Sequence, residues 1–189
     1  AKAPGRRVPR TTDPGEFAIR AVLGQQVSTA AARTHAGRLA AAHGTPVTDP
    51  AGGLSRLFPG PETLAGAGAA GLAVPRSRRE SFAALAAALA SGQPDLSPGG
   101  DWLEARRRLA MLPGIGPWTV EVIAMRALGD PDAFPATDLG VRLAARELGL
   151  PGTPAALTGR AAAWRPWRAY AVQYLWAASD HPINRLPAP

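Results

Sequence analysis

The sequence contains no cysteine, and this absence excludes several kinds of functional site. No disulfide, thiolate nucleophile, zinc ribbon or iron–sulfur cluster can form without cysteine. The histidines are also few, and His35, His43 and His181 are too scattered along the chain to indicate a metal site. The sequence therefore offers no clustered ligands for a transition metal.

Long apolar runs are absent as well. No segment reaches the roughly 18 consecutive apolar residues that a membrane-spanning helix needs. The N-terminus, AKAPGRRVPR, is basic but has no apolar segment behind it, so it does not have the form of a signal peptide. We expect a cytoplasmic protein with no membrane partner.

Lysine is nearly absent, and the positive charge is carried by arginine. Lysine and arginine together number 21 against 14 acidic residues, giving a net charge of +7, and the only lysine is Lys2. The guanidinium fork suits phosphate geometry, and this charge balance favours a polyanionic partner. Part of the arginine excess reflects a composition that is also rich in alanine, glycine and proline.

Apolar spacing and capping residues predict an all-α fold, and no segment shows a convincing alternation of apolar and polar residues. We expect residues 1–12 to be a linker or fragment start, 13–180 to be one helical domain and 181–189 to be an irregular tail. The predicted helices cover residues 14–23, 28–43, 62–67, 81–90, 101–111, 117–128, 138–148, 154–163 and 167–179.

The segment Leu112-Pro113-Gly114-Ile115-Gly116, between two predicted helices, has the form of a helix-hairpin-helix. Its glycines let backbone amides approach an anion, and the next helix directs its positive end there. Thr119 adds a hydroxyl donor. An ordinary glycine-rich turn is the alternative, but the flanking Leu-Pro and Pro-Trp-Thr favour phosphate binding. The carbonyls of Ala110, Leu112 and Ile115 are candidate ligands for Na⁺ or K⁺, the one cofactor that we consider.

Asp138 follows the second of these helices and precedes another. An aspartate before a helix is commonly only an N-cap. Beside a phosphate-binding hairpin, however, a carboxylate suggests chemistry on DNA, because a binding module has no need of one.

The segment LPGIGPWT…AMRALGDPDAFPATD resembles the signature of the helix-hairpin-helix DNA glycosylases. Residues 20–32 (RAVLGQQVSTAAA) and 164–176 (WRPWRAYAVQYLW) extend the resemblance, which covers about residues 14–180. The most similar branch is bacterial 3-methyladenine DNA glycosylase II. The resemblance implies two helical lobes with the active-site cleft between them, one lobe of about residues 30–135 and the other built from both ends.

The resemblance also implies roles for individual residues. Asp138 matches the catalytic aspartate, and Trp118 and Trp176 match aromatic walls of the base pocket. The remaining matches are the DNA-backbone hairpin (Leu112, Gly114, Ile115, Gly116, Thr119) and the minor-groove wedge (Gln25, Gln26). We expect the other tryptophans, Trp102, Trp164 and Trp167, to pack in the core.

The sequence departs from the family pattern at several points. Gln26 stands where better known members carry a leucine wedge, and Val122 occupies a position often held by a pocket tyrosine. The branch often carries an N-terminal β-rich domain that is not encoded here, so we expect a short form or an excised catalytic region. No lysine stands in the second hairpin helix, where bifunctional relatives form a Schiff base.

Together these features predict a monofunctional glycosylase of base excision repair that flips alkylated bases out of double-stranded DNA and leaves an abasic site. We expect a monomer associated with the bacterial nucleoid. The alternatives are a non-catalytic helix-hairpin-helix module, which would bind DNA without releasing bases, and a helical interaction domain with no affinity for DNA.

Overall fold

The computed structural model describes residues 4–69 and 72–178, and the regular elements in these ranges are helices. They are α1 (Pro14–Leu23), α2 (Thr29–His43), α3 (Pro61–Ala67), α4 (Arg76–Ala90), α5 (Trp102–Met111), α6 (Pro117–Ile123), α7 (Leu139–Glu147), α8 (Pro154–Ala161) and α9 (Arg168–Ala178). These ranges contain no β-strand, only one isolated antiparallel β-bridge between Pro46 and Arg56. The all-α prediction is confirmed.

Four of the helices in the described ranges begin at capping residues that the sequence indicates. The carboxylates or hydroxyls of Asp13, Ser28, Asp101 and Asp138 each accept a hydrogen bond from an amide in the first turn. Such caps satisfy amides that have no helical partner, and each contributes about 1 kcal/mol.

The predicted start of α4 and the predicted end of α6 were wrong. Helix α4 begins at Arg76 and not at Ser81, whose hydroxyl lies within the helix and donates to the Ser77 carbonyl at 3.0 Å. Arg76 pairs with Glu80 one turn later, which supports the earlier start. The helix predicted to reach Leu128 is α-helical only to Ile123, and Ala124–Leu128 is a π-helical segment.

The two C-terminal helices also differ from their predicted bounds. Helix α8 passes at Ala161 into a short 3₁₀ turn, Ala162–Trp164. Helix α9 begins at Arg168, and its predicted last residue, Ser179, lies outside the described residues, as does the predicted tail 181–189.

The core forms where α1 packs against α2, α4, α6 and the π-helical segment, while α7 packs against α9. The cleft described below lies between α6 with the π-helical segment on one side and α7 with α9 on the other. The assignment of residues to two lobes stays a prediction. Trp164 packs against the core as expected, but Trp102 and Trp167 are 38% and 58% exposed, so their core assignment was wrong.

The described part of the segment predicted as a linker lies against the helical domain. The Arg10 guanidinium donates to the carbonyls of Ala127 and Leu128 at 3.1 and 2.9 Å, at the end of the π-helical segment. Gly129 (φ +77°) follows, and a Cβ there would collide with Arg10. Within residues 4–69 and 72–178 no helix has the length and apolarity to cross a membrane.

Candidate active site

The hairpin between α5 and α6 presents two glycine amides on an exposed turn. Ile115 is buried, and its amide donates to the Leu112 carbonyl at 3.2 Å. Gly114 and Gly116 are exposed, and their amides meet no acceptor among the described residues. The predicted hairpin is therefore present, with Ile115 anchoring it and the two glycines turned outward.

Gly114 is required at its position for two independent reasons. Its φ of +72° lies in the left-handed region, which a side chain disfavours. A Cβ at this position would also collide with the hydroxyl of Ser81 on α4. The turn can therefore approach α4 closely only with glycine at residue 114.

The turn between α1 and α2 lies against the hairpin. The Gln25 side-chain amide donates to the Gly114 carbonyl at 3.0 Å and to the Thr119 hydroxyl at 2.9 Å. Thr119 is only 2% exposed, so its hydroxyl is a buried contact between the α1–α2 turn and the hairpin. Gln26 is exposed and has a φ of +53°. Because the Gln25 side chain is bonded to the hairpin, Gln26 is the better placed of the two predicted wedge residues to enter a DNA groove.

Asp138 is the N-cap of α7 and holds three hydrogen bonds. Its Oδ1 accepts from the Val141 amide at 2.8 Å and from the Trp176 indole Nε1 at 3.0 Å. Its Oδ2 accepts from the Trp118 indole Nε1 at 2.7 Å. Three donors from α6, α7 and α9 thus fix the carboxylate, which is half-buried at the junction of these helices. Sequence reasoning placed both tryptophans in the pocket but missed that their nitrogens hold Asp138.

The loop that carries Asp138 is fixed to α5 and α6 by partly buried ion pairs. Arg106 lies 3.1 Å from Glu121 and 2.6 Å from Asp130, measured from nitrogen to oxygen. Burial by itself would lower the pKa of Arg106, but Glu121 and Asp130 outweigh it and raise that pKa above its ordinary value. Glu121 also accepts from the Phe134 amide at 2.7 Å.

The other side of this loop is fixed to the start of α9. Asp132 accepts from Arg168 Nε at 2.7 Å and from Arg165 Nε at 2.8 Å. Burial raises the pKa of Asp132, but hydrogen bonds and charge from Arg168 and Arg165 lower it by more. The pKa of Asp132 therefore lies below the ordinary aspartate value. The Ala169 amide adds a bond to the Pro131 carbonyl at 2.9 Å. Asp130 and Asp132 are therefore structural anchors, and Asp138 is the loop carboxylate that faces the cleft.

Two adjoining cavities meet at Asp138. The first, which we call the aromatic cleft, has a volume of about 510 Å³. The second, the hairpin groove, has about 740 Å³ and runs from the Gln25 turn past the hairpin glycines. Both are lined by Val27, Trp118, Asp138 and Leu139. A group entering through the groove therefore reaches the carboxylate and both indoles.

The aromatic cleft contains polar side chains that sequence reasoning missed. Arg126 and Gln173 line it from the π-helical segment and α9, and Arg6 lines it from the N-terminal segment. The spacing offered a signal for Arg126, because Trp118, Val122 and Arg126 follow one another at intervals of four residues on one helix face. Within the described residues, no group of three histidine or acidic side chains could hold a metal ion.

Two curated relatives match nearly the whole chain, although no protein-family model matches it. The chain is 59% identical over 186 residues to the probable bifunctional transcriptional activator/DNA repair enzyme AlkA of Mycobacterium tuberculosis, covering 98% of this chain and 38% of that protein. It is 34% identical over 180 residues to DNA-3-methyladenine glycosylase 2 of Escherichia coli, covering 93% of this chain and 61% of that one. The chain thus spans about two fifths of the length of the first relative and about three fifths of the length of the second.

A solved structure agrees with the sequence comparison. The 3-methyladenine DNA glycosylase of Schizosaccharomyces pombe, in complex with abasic DNA, superposes with a TM-score of 0.67 at 29% identity, covering 94% of this chain and 85% of that chain. The chain belongs to the helix-hairpin-helix DNA glycosylases, in the AlkA-like branch. Membership confirms the fold predicted from the hairpin and its flanking helices.

Proposed function

We propose that this chain is a catalytic domain that hydrolyses the N-glycosidic bond of alkylated bases in double-stranded DNA. The observation that carries this proposal is the Asp138 carboxylate, held by two indole N–H groups where the aromatic cleft opens into the hairpin groove. Bases of the 3-methyladenine and 7-methylguanine type are the expected substrates. Both curated relatives carry DNA repair activities in their names, which supports the proposal.

Asp138 would act on the sugar. Cleavage of the base from C1′ passes through an oxocarbenium-like sugar, and a carboxylate beside C1′ stabilises its positive charge. The same carboxylate can orient or deprotonate the attacking water. The indole donors keep the oxygens in place, so little reorganisation is needed when the charge develops.

The hairpin and the neighbouring turn would present the nucleotide to Asp138. Outward amides at Gly114 and Gly116 bind phosphate without reading sequence. A flipped base would then enter the aromatic cleft and stack on Trp118 or Trp176, an attraction of about 0.5–2 kcal/mol for a cationic base. Gln26, exposed beside the groove, would fill the gap that the nucleotide leaves and bond the orphan base.

We propose that backbone carbonyls at the end of α5 and in the hairpin hold a monovalent cation. Ala110 lies in the last turn of α5, where carbonyls lack helical partners. The Leu112 carbonyl accepts one hydrogen bond, from Ile115, and keeps a second lone pair. Together with the Ile115 carbonyl they would hold Na⁺ or K⁺, for which neutral carbonyl oxygens are suitable ligands. The ion would bring positive charge to the phosphate.

The product would be an abasic site. The second helix of the hairpin motif, Pro117–Ile123, contains no lysine to form a Schiff base with the sugar. We therefore propose monofunctional hydrolysis by a monomer within base excision repair.

Replacing Asp138 by asparagine tests the catalytic proposal. The change removes the charge and keeps the shape, so the release of 7-methylguanine from a defined duplex should fall by about a hundredfold or more, in line with the loss of one preorganised electrostatic group. Affinity for the same duplex should stay within a few-fold. Base release is measured in single turnover by alkaline cleavage of the abasic strand.

The unchanged enzyme provides the decisive comparison. If Asp138→Asn releases the base at the parent rate, Asp138 is not the catalytic group. If the parent binds the duplex but releases no base, the chain is a non-catalytic helix-hairpin-helix module. If it does not bind DNA at physiological salt, both proposals fail.

A further inference from the structure

Leu139 is an exposed leucine at the point where the two cavities of the site meet. It is the first residue of α7, directly after Asp138, and it is 64% exposed. It lines both the aromatic cleft and the hairpin groove. A single exposed leucine on a protein surface needs no explanation. A leucine at this junction, however, lies where a nucleotide must pass to bring its sugar to Asp138.

The backbone that carries Leu139 is held firmly. The Asp138 carboxylate accepts from the Val141 amide at 2.8 Å across the first turn of α7. At the next residue, Gly140, an added Cβ would lie 3.3 Å from Asp138 Oδ1 and 3.4 Å from the Trp176 indole. The first turn of α7 therefore packs closely against the site, and it presents the Leu139 side chain from a fixed position.

Val27 joins Leu139 at the junction from a different part of the chain. It is half-buried in the turn between α1 and α2, and it lines the same two cavities. We call Val27 and Leu139 the apolar collar. The described residues that line both cavities are this collar, Trp118 and Asp138. The junction thus surrounds one carboxylate with apolar and aromatic surface.

The order of the parts within a nucleotide decides which part meets the collar. Under the proposed function, the phosphate lies at the hairpin glycines and the base lies in the aromatic cleft. The deoxyribose joins these two parts, so it lies between the two cavities, where C1′ can approach Asp138. One edge of this sugar is apolar because C2′ carries no hydroxyl, and apolar side chains suit such an edge.

We propose that Leu139, together with Val27, is a positioning residue that packs against the deoxyribose of the flipped nucleotide and seats C1′ beside Asp138. This inference rests on the proposed glycosylase function and deepens it by assigning a contact to the sugar. The bound sugar covers apolar surface of Leu139 that water otherwise meets, and this burial favours the flipped state. The collar acts in the same way whichever base the sugar carries.

Seating the sugar matters because Asp138 acts through charge. The attraction between a carboxylate and a developing cation weakens with distance and strengthens when water is excluded. A sugar that can shift at the junction leaves C1′ farther from the carboxylate and admits water beside it. Holding the reacting atoms in place is itself a large part of catalysis. The collar therefore contributes to the rate without taking part in the chemistry.

A binding experiment isolates the contact with the sugar. Two duplexes of the same sequence are compared by fluorescence anisotropy, one undamaged and one carrying a tetrahydrofuran abasic analogue, which offers a sugar ring without a base. The variants are Leu139→Ala, Leu139→Met and Val27→Ala. Leu143→Ala is the matched control, because Leu143 lies one turn later on α7, is 41% exposed and lines neither cavity.

We expect the parent to prefer the tetrahydrofuran duplex and Leu139→Ala to lose about tenfold of this preference, as for apolar groups removed from a binding pocket. Val27→Ala should show a smaller loss in the same direction. Leu139→Met should stay within about threefold of the parent, because methionine conserves apolar volume. Leu143→Ala should leave the preference unchanged. The ratio of the two affinities does not depend on the fraction of enzyme that is folded.

The rate of base release provides the second measurement. Release of 7-methylguanine is followed in single turnover at subsaturating enzyme, where the rate constant reports the transition state relative to free enzyme and DNA. Since the same sugar contact is present in the transition state, Leu139→Ala should lower this rate constant by about the factor that it loses in preference for the tetrahydrofuran duplex.

Three results would overturn the inference and leave the glycosylase proposal intact. Equal loss of affinity for the undamaged and tetrahydrofuran duplexes would place Leu139 against DNA outside the flipped nucleotide. A slower release of 7-methylguanine with an unchanged preference for the tetrahydrofuran duplex would mean that Leu139 contacts the base and not the sugar. No change in either measurement would mean that Leu139 contacts neither. A parent that releases no 7-methylguanine refutes the proposed function itself.

Discussion

The two tryptophans beside Asp138 act through their nitrogens as well as through their rings. A single indole in a pocket can stack with a base, but here both indole N–H groups also point at one carboxylate. Charge-assisted bonds of this kind are shorter and stronger than neutral ones, and the 2.7 Å bond from Trp118 is at the short end of their range. Under the proposed function, replacing either tryptophan should therefore change both the stacking of the base and the position of the Asp138 carboxylate oxygens.

Trp118→Phe separates these two contributions. Phenylalanine keeps an aromatic wall and removes the donor to Asp138 Oδ2, while Trp176 and Val141 still hold Oδ1. Loss of one hydrogen bond to a charged group predicts a fall of about tenfold to a hundredfold in the single-turnover rate for 7-methylguanine. Affinity for a lesion duplex should change less than the rate, because stacking is largely retained.

Trp164→Phe is the control for this substitution. Trp164 packs edge-on against Phe134 at 6.0 Å and does not line the aromatic cleft, so its rate should stay near that of the parent. If Trp118→Phe loses affinity and rate in equal proportion, the indole serves stacking only. If neither changes, the bond to Asp138 is without consequence for the reaction.

At the level of elements, local residues predict the helices well and their junctions poorly. Asp13, Ser28 and Asp101 mark helix starts because a cap acts on amides within its own first turn. The π-helical segment Ala124–Leu128 has no such local cause. Its end is bound by Arg10, a residue more than a hundred positions earlier in the chain, and that contact exists only after the chain has folded.

The same distinction applies to the site. The hairpin, Asp138 and the two cleft tryptophans were predictable because a family pattern and local turn chemistry mark them. Arg6 has no periodic relation to the other cleft residues, so no sequence pattern could have placed it there. The bracing role of Asp132 also depends on a distant pair, Arg165 and Arg168, that only the folded structure brings within reach.

The loop before α7 provides a prediction about pH. The pKa of Asp132 is lowered in the folded protein, so its ionised form stabilises the fold. This contribution is complete above the unfolded aspartate value of about 3.9 and is lost as the pH falls through the lower folded value. Asp132→Asn should therefore unfold more easily than the parent at pH 7, and this difference should shrink below about pH 4.

Urea unfolding of the parent and variant from pH 7 down to pH 2.5 measures this difference. Glu147→Gln is the control, since it makes the same change in charge at an exposed residue for which the described part of the chain shows no ion pair. A pH dependence that this control shares would report the change in net charge and not the ion pairs of Asp132. A destabilisation of Asp132→Asn that stays constant down to the lowest pH would mean that packing, and not ionisation, is responsible.

For the molecule as a whole, the charge distribution predicts a DNA-binding surface that extends beyond the hairpin. Helix α4 contacts the hairpin turn through Ser81, which lies next to Gly114. Arg78 precedes Ser81 by three residues and so lies on the same helix face, whereas Arg76 is occupied by Glu80. The start of α4 at Arg76, which the sequence did not predict, places Arg78 on a helix beside the hairpin turn that we propose binds phosphate.

If Arg78 contacts a phosphate, it contributes through counterion release and not through base recognition. Arg78→Ala should therefore weaken binding to lesion and undamaged duplexes alike, and it should reduce the slope of log affinity against log salt by about 0.9, the value for one phosphate.

Fluorescence anisotropy between 50 and 300 mM salt measures the slope, with Arg160→Ala as the control at a residue far along the chain on α8. A slope that matches the parent would place Arg78 outside the footprint, and a loss confined to lesion duplexes would contradict backbone contact. Because removing any arginine lowers the net charge of +7 equally, only a difference between these two variants assigns the contact to the α4 face.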